Sequence, residues 1–139
     1  MDTKLTHHAR ARARGFTLIE LVVAIAVVGI LAAIAWPSYL QQVTRGRRSS
    51  AKAAMMDLAN REQLYLVANR AYADTAALQT SGYNVPSDVS KYYTWAVALG
   101  TGSTPAFTIT LTPFGAQAAD GALTLDQAGN RTPIGKWQQ

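Results

Sequence analysis

Residues Arg10 to Tyr39 read RARARGFTLIELVVAIAVVGILAAIAWPSY. A basic, polar leader ends at Gly15, and an almost wholly apolar run follows from Phe16 to Trp36. As a helix rising about 1.5 Å per residue, that run reaches roughly 30 Å, the thickness of a bilayer's hydrocarbon core. Glu20 is its lone charged side chain. An ionisable group at such a depth is costly, so a functional role is its default reading.

Outward from this run, the chain of 139 residues is long enough for one ordinary domain. Charged residues make up only 15%, and much of the 49% apolar content sits in the front run, which leaves a modest globular remainder. The formal charge of +5 is also unevenly placed. Lys4, Arg10, Arg12 and Arg14 against Asp2 give the leader +3, so the side chains beyond it carry only +2. Overall basicity is therefore a poor argument for nucleic-acid binding. The chain has no cysteine, and its only histidines, His7 and His8, lie in the leader. Disulfides, thiolate zinc sites and a His-based catalytic triad are excluded downstream. The sequence calls for no metal and no cofactor, and it offers no catalytic residues.

Beyond Pro37, Leu40, Val43, Ala51, Ala54, Met55, Leu58, Tyr65 and Ala68 recur mostly at steps of three and four, the face of an amphipathic helix. Gly46 lowers helix propensity there by about 1 kcal/mol. A helix continuing through the proline would run from Phe16 to about Tyr72, roughly 80 Å. Such a helix is too long for a small domain alone. A loop is expected at 79–90. The rest, 91–139, reads as strands. KYYTWAVAL sets Tyr93, Trp95, Val97 and Leu99 on one face, AFTITLT sets Phe107, Ile109 and Leu111, and GALTLDQ sets Leu123 and Leu125. Strict alternation between turn-rich segments predicts an antiparallel meander, with the amphipathic half-helix as its cover.

Three readings compete for the front end. A secretory signal peptide has the basic start and an A-x-A pattern at Ala33–Ala35, but its apolar core is usually shorter than this one. A plain membrane anchor explains length and flanking charge, but not Glu20. The third reading uses every residue. RGFTLIELVVAIAVVGILAAIAWPSY resembles the signature of type IV pilins and related pseudopilins. The resemblance implies cleavage between Gly15 and Phe16, N-methylation of Phe16, and a Glu20 on which assembly depends. It also implies the pilin fold, an α+β architecture with a long N-terminal helix on a small antiparallel sheet.

YLVANRAYAD, YYTWAV, PFGAQAADGALTLDQAGNRT and Trp137 look more specifically like the PilE-type subfamily, which includes major subunits, minor pilins and ComP-like DNA-uptake receptors. Members often carry a C-terminal cysteine pair. Here Asp120-Gly121-Ala122 and Lys136-Trp137 stand without one, which makes Trp137 the expected anchor of the closing loop.

The expected organisation is thus a removed leader at 1–15, a transmembrane or filament-core half-helix at 16–36, and a globular pilin domain at 37–139. The helix is expected to kink near Pro37 in an isolated subunit and to unwind partly between Gly29 and Pro37 in a filament, because glycine frees the backbone and proline removes a hydrogen bond. Implied partners are other pilin subunits, the prepilin peptidase and methyltransferase, an inner-membrane assembly platform, and membrane lipid before assembly. The implied location is the inner membrane first, with a cytoplasmic N-terminus, and an extracellular filament afterwards.

The alternatives are a DNA-binding uptake pilin and a pseudopilin of a type II secretion system. Arg45, Arg47, Arg48 and Lys52, with Lys91, Arg131 and Lys136, are candidates for weak nucleic-acid or inter-subunit contacts. Asp120 and Asp126 do not fit calcium-loop spacing and read as turn residues. Tyr92, Tyr93 and Trp95 read as sheet packing rather than a stacking platform.

Overall fold

The computed structural model describes residues 15–138. Most of the expected leader, with His7 and His8, lies outside the described residues, as does Gln139. The chain divides into two compact units, with the break after Ser38.

The long helix α1 spans Leu18–Asn69, slightly shorter at both ends than the sequence suggests. It runs through Gly29 and Pro37 without interruption. At its start the Thr17 hydroxyl accepts the Glu20 backbone N–H at 3.2 Å, satisfying one of the donors that a helix N-terminus leaves free. At its end Arg70 adopts φ 59°, the left-handed conformation that stops a helix, and its N–H bonds the Leu66 carbonyl at 2.7 Å. A side chain is strained there and glycine is not. Arg70→Gly is therefore expected to stabilise the domain by about 0.5–1 kcal/mol. A rise in the urea midpoint of the detergent-solubilised chain measures this, and an unchanged or lower midpoint refutes it.

In the first unit the apolar segment is long and apolar enough to cross a membrane, and none of it is buried within the subunit. Leu18 is 81% exposed and Ile34 69%.

In the second unit, α1 is followed by α2 (Thr75–Thr80) and α3 (Ser87–Ser90). These short helices take up the two ends of the expected loop at 79–90 and leave 81–86 irregular. Asp74 caps α2 by accepting the Ala77 N–H at 2.8 Å, so DTAALQT is a helix start that turn-counting overlooks. Strands β1 (Tyr93–Leu99), β2 (Phe107–Pro113), β3 (Leu123–Asp126) and β4 (Arg131–Thr132) pair antiparallel in the order β1-β2-β3-β4. A 3-10 turn at Gly115–Asp120 bridges β2 and β3, and the one-turn helix α4 (Ile134–Trp137) follows β4.

The core forms where Ala51, Ala54, Met55 and Leu58 of α1 meet Tyr93, Val97, Phe107, Ile109, Leu111, Leu123 and Leu125 of the sheet. Each fully buried large side chain contributes about 1.5–3 kcal/mol. Leu78, Val85 and Val89 from the α2–α3 region complete the core. The expected faces hold along β2 and β3 but fail at Leu99, which is 44% exposed at the end of β1. On α1, Leu40 and Ala68 lie outside the buried stripe.

Candidate functional site

The residues singled out from the sequence fall into two places. Gly15, Phe16, Thr17 and Glu20 line one shallow, open hollow at the start of α1. Thr17-x-x-Glu20 is the spacing of a capping box, which the sequence reading missed although four letters encode it. The carboxylate also stands in the first turn, where the positive end of the helix dipole favours a negative charge. Phe16 is 75% exposed, and among the described residues the apolar ones after it are exposed as well.

The basic residues do not form one cluster, because a helix turns about 100° per residue. Arg48 faces the core. It lies on the same three-and-four-residue stripe as Ala51, Met55 and Leu58, and it is only 7% exposed. Its Nε donates to Asp120 Oδ2 at 2.9 Å, and its Nη2 pairs closely with Oδ1. Arg48 is therefore no surface cation, which corrects its inclusion among the contact candidates. Asp120, read as a turn aspartate, is likewise buried. Burial opposes its ionisation, but the hydrogen bonds and charge of Arg48, with Lys136 and Gln117, hold its pKa below the usual carboxylate range. Lys136 Nζ lies 3.6 Å from Asp120 Oδ1, so this cation also turns inward.

Lys52 is half-buried and donates to the Trp137 carbonyl at 3.2 Å. Burial, and then the neighbouring Arg48, lower its pKa, and Asp120 partly offsets this.

Arg45 and Lys91 are exposed, and the half-buried Arg47 stacks its guanidinium 3.8 Å from the centre of the Tyr92 ring. Arg131 is exposed and lies over Trp137 at 5.2 Å. Of the candidate cations, Arg45 and Lys91 are thus exposed, the half-buried Arg47 lies on Tyr92, and Arg131 lies beside Trp137.

Tyr93 is core, its hydroxyl pKa pushed up to about 12 chiefly by burial. Trp95 is half-buried and packs edge-on against Tyr83 at 5.6 Å. Both are packing residues. Asp126 is a turn residue, accepting the N–H groups of Ala128 and Asn130 and the Asn130 side chain at 2.8–2.9 Å. Those bonds, the Asn130 side chain first, hold its pKa down. Among the described residues no cluster of three or more His, Asp or Glu side chains could hold a metal ion.

Sequence reasoning also missed Glu62, fully buried on the same stripe of α1, where it accepts the Ala73 N–H at 2.9 Å. Burial raises its pKa, and the Ala73 bond partly offsets this.

Comparison with known proteins places these features in a family. Residues 37–125 match the family described as type IV minor pilin ComP, DNA uptake sequence receptor. Residues 10–36 match the prokaryotic N-terminal methylation motif. The type IV major pilin protein PilA of Myxococcus xanthus is 40% identical over 65 residues, which cover 47% of this chain and 30% of the relative. The type IV wide pilus major component PilA4 of Thermus thermophilus is 35% identical over 80 residues, 56% of this chain and 61% of the relative. The major pilin PilE1 of Neisseria gonorrhoeae is 55% identical over 38 residues, 27% of this chain and 23% of the relative. The matched stretches thus span less than two thirds of the length of these relatives. A long N-terminal helix on a small antiparallel meander and a methylation motif ahead of an exposed apolar run agree with one conclusion: the chain belongs to the type IV pilin family, related to the ComP, PilE and PilA pilins.

Proposed function

We propose that this chain is a structural subunit of a type IV pilus filament. The observation that carries the reading is the apolar half of α1, which is attached to a folded domain yet uncovered by it. Such a surface needs lipid or other protein around it. In this reading it sits in the inner membrane first, and then packs among the helices of other subunits while the sheet domains face outward. Lipid tails are as apolar as the helices, so transfer from membrane to filament gains little by itself. Assembly then needs the inner-membrane platform and a source of energy outside this chain. In this reading α1 kinks near Pro37 in the isolated subunit and partly unwinds between Gly29 and Pro37 in the filament.

Processing supplies the direct test. The mature subunit is expected to begin at N-methyl-Phe16, with Met1–Gly15 removed by the prepilin peptidase. Gly15 presents no side chain and lets the peptidase approach the backbone, so Gly15→Leu should leave the precursor uncut. Mass spectrometry of sheared surface filaments reads both the N-terminus and the presence of the subunit. A mature N-terminus at Trp36, or a subunit absent from filaments, overturns the reading. Recovery only with secretion machinery would point to a pseudopilin instead.

A second reading is DNA binding at the filament surface. Two observations favour it: the description of the matched family as a DNA uptake sequence receptor, and the exposure of Arg45 and Lys91, with Arg47 stacked on Tyr92. Phosphate contacts by these cations would weaken steeply with salt. A gel shift with the fragment from about residue 40 onward should then lose affinity in Arg45→Ala/Arg47→Ala. A shift indifferent to salt and to both substitutions rejects it.

A further inference from the structure

We infer that Asp120 is an electrostatic staple that fastens the C-terminal turn Ile134–Trp137 to α1 and β1 through one buried carboxylate. Four segments converge on it. From α1, Arg48 offers its guanidinium fork. From β1, the Tyr93 hydroxyl donates to Oδ2 at 3.3 Å. From the 3-10 turn, Gln117 Nε2 donates to Oδ2 at 3.2 Å and to the Thr44 carbonyl of α1 at 3.1 Å. From α4, Lys136 approaches Oδ1 at 3.6 Å. A parallel tie joins Lys52 of α1 to the carbonyl of Trp137.

These polar ties add to the packing of Trp137 at the core margin and beneath Arg131. None of its residues is buried, and Ile134 is 65% exposed. Trp137 reaches only the margin of the core. Helices of one turn are not stable alone. Gly121, at φ 74°, follows Asp120 directly, and a Cβ there would stand 3.4 Å from Lys136 Nζ.

The charge arrangement makes the carboxylate the keystone. Arg48 and Lys52 of α1 and Lys136 of α4 all stand around Asp120, while Tyr93 and Gln117 contribute neutral donors. With the carboxylate present, the three cations share a counter-charge. Without it they repel one another in a poorly solvated site. The chain thereby closes residues 121–136 with charge and hydrogen bonds, and it contains no cysteine to do so.

Hydrogen exchange read by mass spectrometry on the full chain in detergent micelles tests this at the level of segments. Lys136→Met keeps the aliphatic stem and removes the charge. It should speed exchange of residues 134–138 by about tenfold or more while leaving residues 51–58 of α1 unchanged, as local opening requires. Lys136→Arg should keep the protection. Asp120→Asn should loosen 134–138 at least as much as Lys136→Met. If that variant fails to fold, the Lys136 pair still decides. Exchange at 134–138 within about twofold of wild type in Lys136→Met, equal loosening in Lys136→Arg, or loosening shared equally by residues 51–58 would each overturn the staple.

Discussion

A Glu20→Val subunit is expected to enter the membrane and lose its leader, but to be incorporated into filaments about a hundredfold less than wild type when both are expressed together. Cleavage after Gly15 creates an amine at Phe16, and methylation keeps its charge. An amine or a carboxylate alone in an apolar helix bundle is costly, whereas the two together attract strongly because water screens them little. Pairing the Phe16 amine of an incoming subunit with Glu20 of a docked one would set the register between them. Folding should survive the substitution. The start of α1 is capped by the Thr17 hydroxyl on the backbone N–H of residue 20, a bond that valine leaves in place. Glu20→Asp should restore incorporation in part, with the charge kept and the reach shortened. Equal amounts of Glu20→Val and wild-type subunits in sheared filaments would remove the register role.

Arg48→Ala should destabilise the globular domain by about 3 kcal/mol, because it takes two bonds and the main counter-charge from a buried carboxylate and leaves it Lys136, Tyr93 and Gln117. For a domain near 100 residues that corresponds to a fall in Tm of about 15 °C or more. Arg48→Lys should recover only part of this, since an ammonium cannot reproduce the planar fork. The pH dependence has a definite sign. In the wild type Asp120 has a depressed folded pKa, so its contribution is present above the ordinary carboxylate range and is lost as pH falls through the folded value. Without Arg48 the largest influences lowering this pKa are gone, and burial, which raises it, is opposed only by Lys136 and Gln117, so the carboxyl's pKa should rise. The variant then recovers stability as pH falls and the group becomes neutral. The gap between wild type and variant should therefore narrow from pH 7 toward pH 4. A gap that is constant or widening across that range would show that Asp120 is not the group left stranded.

What the chain determines locally was readable from its letters. The run from Phe16 to Trp36 announces a helix that its own domain does not cover, because apolar length is a property of consecutive residues. The alternation in β2 and the matched face of β3 fix which side of the sheet is buried, since a strand exposes alternate residues to opposite faces. Thr17-x-x-Glu20 and Asp74 ahead of Thr75 are equally local caps, legible once sought.

The tertiary structure alone decided the fate of the charges. Arg45, Arg47, Arg48 and Lys52 look alike as letters, and helical rotation separates them. Position on the stripe of Ala51, Met55 and Leu58 marks Arg48 as inward, but not what would meet it there. That partner, Asp120, lies 72 positions away, and Lys136 reaches the same carboxylate from the far side. Spacing along the chain encodes the faces of helices and strands. It does not encode which face-bearing groups meet across a core, because that depends on how the elements pack against one another.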